Sequence, residues 1–116
     1  MKPIIQIKNL HKEFDKVGVL HNIDLDIYPG EVVCIIGASG SGKSTLLRCI
    51  NLLNEPDSGQ IIFEETDITS PSANINALRT QLGMVFQSFN LFNNLNVIDN
   101  TTLALRKVLH MPKQAA

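Results

Sequence analysis

Nine consecutive residues carry the clearest chemistry in this sequence: Gly37-Ala38-Ser39-Gly40-Ser41-Gly42-Lys43-Ser44-Thr45. They satisfy the phosphate-binding pattern G-x-x-x-x-G-K-[S/T] in full. Gly37, Gly40 and Gly42 lack a Cβ, so the backbone there can adopt positive φ and approach a phosphate closely. Successive backbone N–H groups then form an anion nest, backed by the positive end of a helix starting near Lys43. In such a loop the lysine, here Lys43, reaches the β- and γ-phosphates, and the hydroxyl of Ser44 completes the coordination of Mg²⁺. A glycine-rich turn that merely joined a strand to a helix would not need a Lys-Ser pair at this offset.

The loop needs a strand before it and a helix after it, and the sequence supplies both patterns. Glu31-Val32-Val33-Cys34-Ile35-Ile36 is short, apolar and β-branched, which predicts a buried parallel strand. Leu46, Ile50 and Leu53 share one face of the helix predicted next. Upstream, Pro3–Leu10 and Val19–Ile27 alternate as strands with one wet face, separated by a polar stretch that ends at Gly18. Downstream, Asn54–Gly59 is a turn cluster, Gln60–Glu64 a short strand, and Thr69–Ser72 a second break. Ile75, Leu78 and Leu82 suggest a short helix capped near Ser72. Leu82–Gln87 predicts a second buried strand, and Ser88–Leu95 an Asn-rich loop with exposed Phe and Leu. Asn96 with Asp99 opens a last helix through Leu109, with Ile98, Leu105 and Leu109 on its face and Pro112 beyond. Two half-wet strands and two buried ones predict an α/β fold: a P-loop NTPase core with a mixed sheet.

At 116 residues, with 44% hydrophobic and 18% charged residues, the chain is one globular domain or part of one. A net charge of −1 gives no general field for nucleic acid, so none is expected as a partner. No stretch approaches the ~18 apolar residues of a membrane span, and no secretory signal opens the chain, so a cytosolic location is expected. Cys34 and Cys49 then read as small buried hydrophobes rather than a disulfide. Arg48, Arg79 and Arg106 are too scattered for the arginine-rich lid of a compact P-loop kinase.

The order Leu10-His11-Lys12-Glu13-Phe14, Val19-Leu20, Gly30-Glu31 and the glycine loop followed by Leu46–Asn51 resembles an ABC-transporter ATP-binding subunit. Pro56-Asp57-Ser58-Gly59-Gln60-Ile61 and Gly83–Gln87 extend the likeness from about Ile4 to Leu109. Arg48–Leu53 together with Phe86–Phe92 is most similar to importers of polar amino acids; methionine importers and lipoprotein exporters are the alternatives. The resemblance implies ATP and Mg²⁺ as cofactors, held by Gly37, Ala38, Ser39, Gly40, Ser41, Gly42, Lys43, Ser44 and Thr45. It puts Phe14 where the family stacks an aromatic on adenine, and Gln87 where an amide touches Mg²⁺ and positions the attacking water. Ser44 and Gln87 are thus the expected metal contacts. Ser88–Asn96 would receive a membrane-spanning permease subunit, although Asn93-Asn94 replace the family's usual Pro-His. A second ATP-binding subunit and a peripheral place on the cytoplasmic face of the membrane are also implied. The LSGGQ segment, the strand ending in Asp-Glu and the later switch histidine have no match among the 116 residues. The expectation is therefore the N-terminal part of an ATP-binding domain, truncated before its helical subdomain, binding nucleotide with little or no catalysis.

Overall fold

Ile5–Phe14 (β1) pairs on one side with Val17–Ile27 (β2) and on the other with Ser58–Phe63 (β3). The computed structural model describes residues 1–116, in two units, Met1–Leu82 and Gly83–Ala116. The first unit contains a four-stranded sheet in the order β2-β1-β3-β4, where β4 is Thr66–Asp67. All three ladders are antiparallel.

Both tight hairpins use two-residue turns with positive φ at both positions, Asp15-Lys16 and Glu64-Glu65. This is the turn whose twist matches the twist of paired strands. The first strand therefore runs past the polar stretch to Phe14 and reverses at Asp15-Lys16 rather than at Gly18. The β4 pairing was not legible in the sequence because a two-residue strand has no period.

Apolar side chains from the sheet meet Lys43–Ile50 (α1) and Ile75–Arg79 (α2) in one core. Ile7, Leu10, Ile61 and Cys49 are its most deeply buried members, with Leu46, Phe63, Ile68 and Leu78 around them. Each large aliphatic side chain removed from water contributes about 1.5–3 kcal/mol. The inner face of α1 is Leu46 and Cys49, with Ile50 half-buried; Leu53 lies beyond the helix and is exposed. Leu52, at φ 61°, ends the helical path before the predicted face is complete. α2 is capped by Asn74, whose side chain accepts from Ala77 N, and not by Ser72.

The two strands predicted as buried do not form. Glu31–Ile36 makes no ladder, and Val32 and Ile36 are 89% and 94% exposed. Leu82–Gln87 is likewise irregular, with Val85 97% exposed. Both runs have the composition of strands, but a strand exists only where a neighbour offers its N–H and C=O groups. Both edges of β1 are already occupied by β2 and β3. For the same reason Cys34 is exposed rather than buried, and both cysteines are free.

The second unit is built on Val97–Lys107 (α3). Asn96 caps it, its side chain accepting from Asp99 N at 2.8 Å, as the sequence predicted. Its face differs from prediction: Leu105 is half-buried, whereas Ile98 and Leu109 are exposed. No helix is long and apolar enough to cross a membrane.

Candidate functional site

α1 begins at Lys43, and its N-cap is Gly42, at φ 97° in the left-handed region. A glycine cap contributes no side-chain acceptor, so no side chain closes off the N–H groups of the first turn. Those groups carry the positive end of the helix dipole. They open onto a cavity of about 280 Å³ lined by Ser39, Gly40, Gly42, Lys43, Ser44 and Thr45, with Val19 of β2 closing one side. Glycine matters at two points for different reasons: the backbone angle demands it at Gly42, whereas at Gly37 it leaves space for the Ser41 side chain. At Gly42 a Cβ would sit 3.0 Å from the Val19 side chain in a strained backbone; at Gly37 it would sit 2.7 Å from Ser41 Oγ.

Lys43 closes the loop on itself. Its Nζ donates to Gly37 O at 2.8 Å, to Ala38 O at 2.7 Å and to Ser41 Oγ at 3.4 Å. A second tie runs from Ser41 N to Ala38 O at 3.1 Å. The ammonium thus bridges the two ends of the glycine loop, where a cation able to exchange loop carbonyls for phosphate oxygens has to be. Ser44 stands one residue further along the first turn and lines the same cavity. One neutral oxygen suits Mg²⁺, which keeps several waters and takes few protein ligands. The donor set therefore fits a phosphate chain with its magnesium.

Phe14 lies at the end of β1, opposite Val17 and close along the hairpin to Val19, which walls the cavity. The residue is 44% exposed, and the Lys12 ammonium lies over its ring, 5.0 Å from the centroid. The sheet thus places the aromatic at the same end of the β1–β2 hairpin as the phosphate loop. Gln87 belongs to the second unit, where it is exposed in a bend outside any strand. The segment after it is exposed as well, Phe89 to 95%, with Leu91 and Phe92 also open to solvent.

Three residues in or beside these features were not singled out from the sequence. Val19 walls the loop cavity; its place in the alternating strand was visible, but not its neighbour across space. Lys12 lies over Phe14, a two-residue strand spacing that could have been noticed. Asn100 fastens the Asn-rich loop to α3: its Oδ1 accepts from Phe92 N at 2.9 Å, and its Nδ2 donates to Leu95 O at 3.1 Å and Asn96 O at 2.9 Å.

A larger hollow, about 750 Å³, is bordered by Asp57, Gln60, Asp67 and Thr69. Its two aspartates already serve the backbone: Asp57 Oδ2 accepts from Glu13 N at 2.7 Å and Asp67 Oδ1 from Thr69 N at 2.9 Å. No group of three or more His, Cys, Asp or Glu is placed to hold a metal ion. The smaller cavity at the glycine loop is where phosphate chemistry is possible.

Comparison with known proteins agrees with this geometry. The arginine transport ATP-binding protein ArtM of Bacillus subtilis (strain 168) is 48% identical over 113 residues, covering 97% of this chain and 47% of the relative. The glutamine transport ATP-binding protein GlnQ of Escherichia coli (strain K12) is 47% identical over 113 residues, with the same coverage. The chain thus spans about half the length of the curated relatives it matches. Among solved structures, cbiO1 from Clostridium perfringens, part of the ABC transporter complex cbiONQ, superposes with a TM-score of 0.78 at 29% identity, over 99% of this chain and 46% of that one. A P-loop NTPase core is therefore the fold. The model of the ABC transporter family matches residues 20–116, from the strand that walls the loop cavity through the glycine loop to the last residue, and the chain belongs to that family.

Proposed function

We propose that this chain is the ATP-binding part of an importer subunit that couples ATP binding and hydrolysis to uptake of polar amino acids. The observation that carries the reading is the uncapped first turn of α1 facing a cavity with Lys43 and Ser44 on its wall. The substrate class rests on the relatives, whose names specify arginine and glutamine transport.

In this reading the loop amides and Lys43 hold the β- and γ-phosphates, and Ser44 contributes one ligand to Mg²⁺. Phe14 stacks on the adenine ring, a contact worth about 1–3 kcal/mol per base. Gln87 contacts Mg²⁺ and orients the attacking water through a neutral amide, which aligns water without removing a proton. Ser88–Asn96 meets the permease subunit, with Phe89, Leu91 and Phe92 as apolar anchors. A second ATP-binding subunit completes the site, and the assembly sits at the cytoplasmic face of the membrane.

Phosphoryl transfer to water depends on positioning and on stabilising developing charge. No apolar strand among these 116 residues ends in an Asp-Glu pair. The chain by itself therefore binds Mg-ATP weakly and turns it over little. Steady-state phosphate release from Mg-ATP, measured beside Lys43→Ala, tests this together with equilibrium ATP binding. The expected result is Lys43-dependent binding without release above the Lys43→Ala background. Release that vanishes in Lys43→Ala would overturn the reading and indicate a self-sufficient enzyme, whose carboxylate would be sought among Glu64, Glu65 and Asp67.

A further inference from the structure

We propose that Lys12, anchored by Asp57, is a positioning residue that sets the aromatic ring of Phe14 for a purine base. The inference rests on the reading of Phe14 as the base platform and adds to it a residue that fixes the ring.

A phenylalanine at the last position of a strand, beside a tight turn and 44% exposed, is only partly held by its surroundings. Lys12 supplies the missing restraint. Its side chain is only 15% exposed although it ends in an ammonium, so that charge must be held by neighbours. Two are visible: the ring of Phe14, 5.0 Å away at its centroid, and Asp57 Oδ2, 3.9 Å away.

Asp57 is itself fixed from both sides of Lys12. Its backbone N donates to His11 O at 2.9 Å, and its Oδ2 accepts from Glu13 N at 2.7 Å. The carboxylate is thus clamped onto β1 by the residues flanking Lys12, and the ammonium has a fixed counter-charge. The β1–β2 register shifts between Lys12 and Glu13, the sort of irregularity that re-aims side chains at a strand end. A cation over one face of an aromatic ring is attracted by its quadrupole. With that face taken by Lys12, the other is left for a flat base, at the hairpin end where Val19 walls the phosphate cavity.

The test compares equilibrium binding of Mg-ATP with that of inorganic triphosphate, which has no base, to the full chain. Phe14→Ala is expected to weaken ATP about tenfold and leave triphosphate unchanged. Lys12→Met is expected to weaken ATP about two- to fivefold, again without touching triphosphate, and Lys12→Arg to restore it. In the Phe14→Ala background, Lys12→Met should cause no further loss. Asp57→Asn keeps an oxygen for Glu13 N while removing the counter-charge, and should reproduce the ATP-only loss should Lys12→Met not fold. The inference is overturned if Lys12→Met leaves ATP binding intact, weakens both ligands equally, is not rescued by arginine, or adds to Phe14→Ala. If Phe14→Ala itself leaves ATP binding unchanged, the platform reading fails and this inference goes with it. A loss in Phe14→Ala without one in Lys12→Met or Asp57→Asn removes only the role of Lys12.

Discussion

Cys49 packs between α1 and the sheet, and burial pushes its thiol above the ordinary range; the Lys12 ammonium opposes the shift and Asp57 adds to it. The raised value fixes the direction of a pH effect. Below about pH 8.5 the thiol is protonated in both folded and unfolded chains, and its contribution to stability is complete. Above that the unfolded thiol ionises first, so stability falls until the folded thiol also titrates. Urea midpoints measured from pH 7 to 10 should decline more steeply for the natural chain than for Cys49→Ala; parallel curves would contradict the burial argument. Gly42 gives a second prediction at this scale. Its φ of 97° strains any L side chain, and a methyl group would also press on Val19 at 3.0 Å. Gly42→Ala should cost about 1–3 kcal/mol of stability, read by thermal melting. The pattern G-x-x-x-x-G-K-[S/T] named this residue correctly because its main need is local: a left-handed backbone conformation at the helix start.

At the scale of the elements, the ends of the helices are tied by side chains that no pattern announced. Arg79 of α2 donates from Nε to Asn51 O and from Nη2 to Leu52 O, both at 3.1 Å, satisfying carbonyls at the end of α1. A guanidinium suits this because its rigid fork spans two acceptors, and a cation complements the negative end of a helix. Arg79→Ala should lower stability by about 1 kcal/mol, and Arg79→Lys should recover only part of it. In the second unit Asn100 plays the corresponding part for the loop before α3. Asn100→Ala should speed amide hydrogen exchange at Phe92 and its neighbours while most of the α3 amides remain protected; unchanged exchange would mean the loop is held otherwise. Helix existence was legible for all three helices, from periodicity in α1 and α2 and from the Asn96 cap in α3. Helix ends were not, because Leu52 stops α1 by its backbone angle and Arg79 reaches Asn51 from 28 residues away.

For the molecule as a whole, the sheet forms through antiparallel pairing, while two strand-like runs remain outside it. Val32, Ile36 and Val85 are almost fully exposed, so they contribute little burial to this chain. The double substitution Val32→Lys with Ile36→Lys should therefore change stability by less than about 0.5 kcal/mol while reducing binding of a hydrophobic dye. A large loss of stability would show that the run is packed. Composition marked these runs as suited to burial between two layers, and that suitability is real, but burial needs layers to lie between.

The sequence by itself determined what depends on neighbours along the chain. Three glycines, a lysine and a serine at fixed offsets specify a phosphate loop, and Asn96 with Asp99 specifies a helix start, because both rest on backbone geometry spanning a few residues. Alternation likewise marked β1 and β2, and a short apolar run after a turn cluster marked β3; their inner faces meet in the core. Only the tertiary structure decided which strands found partners, that Val19 would wall the loop cavity, and that Lys12 would lie over Phe14 with Asp57 behind it. Those outcomes depend on hydrogen-bond edges and contacts between residues far apart in sequence. Their energies are no larger than the local ones, but they exist only after the chain has closed on itself.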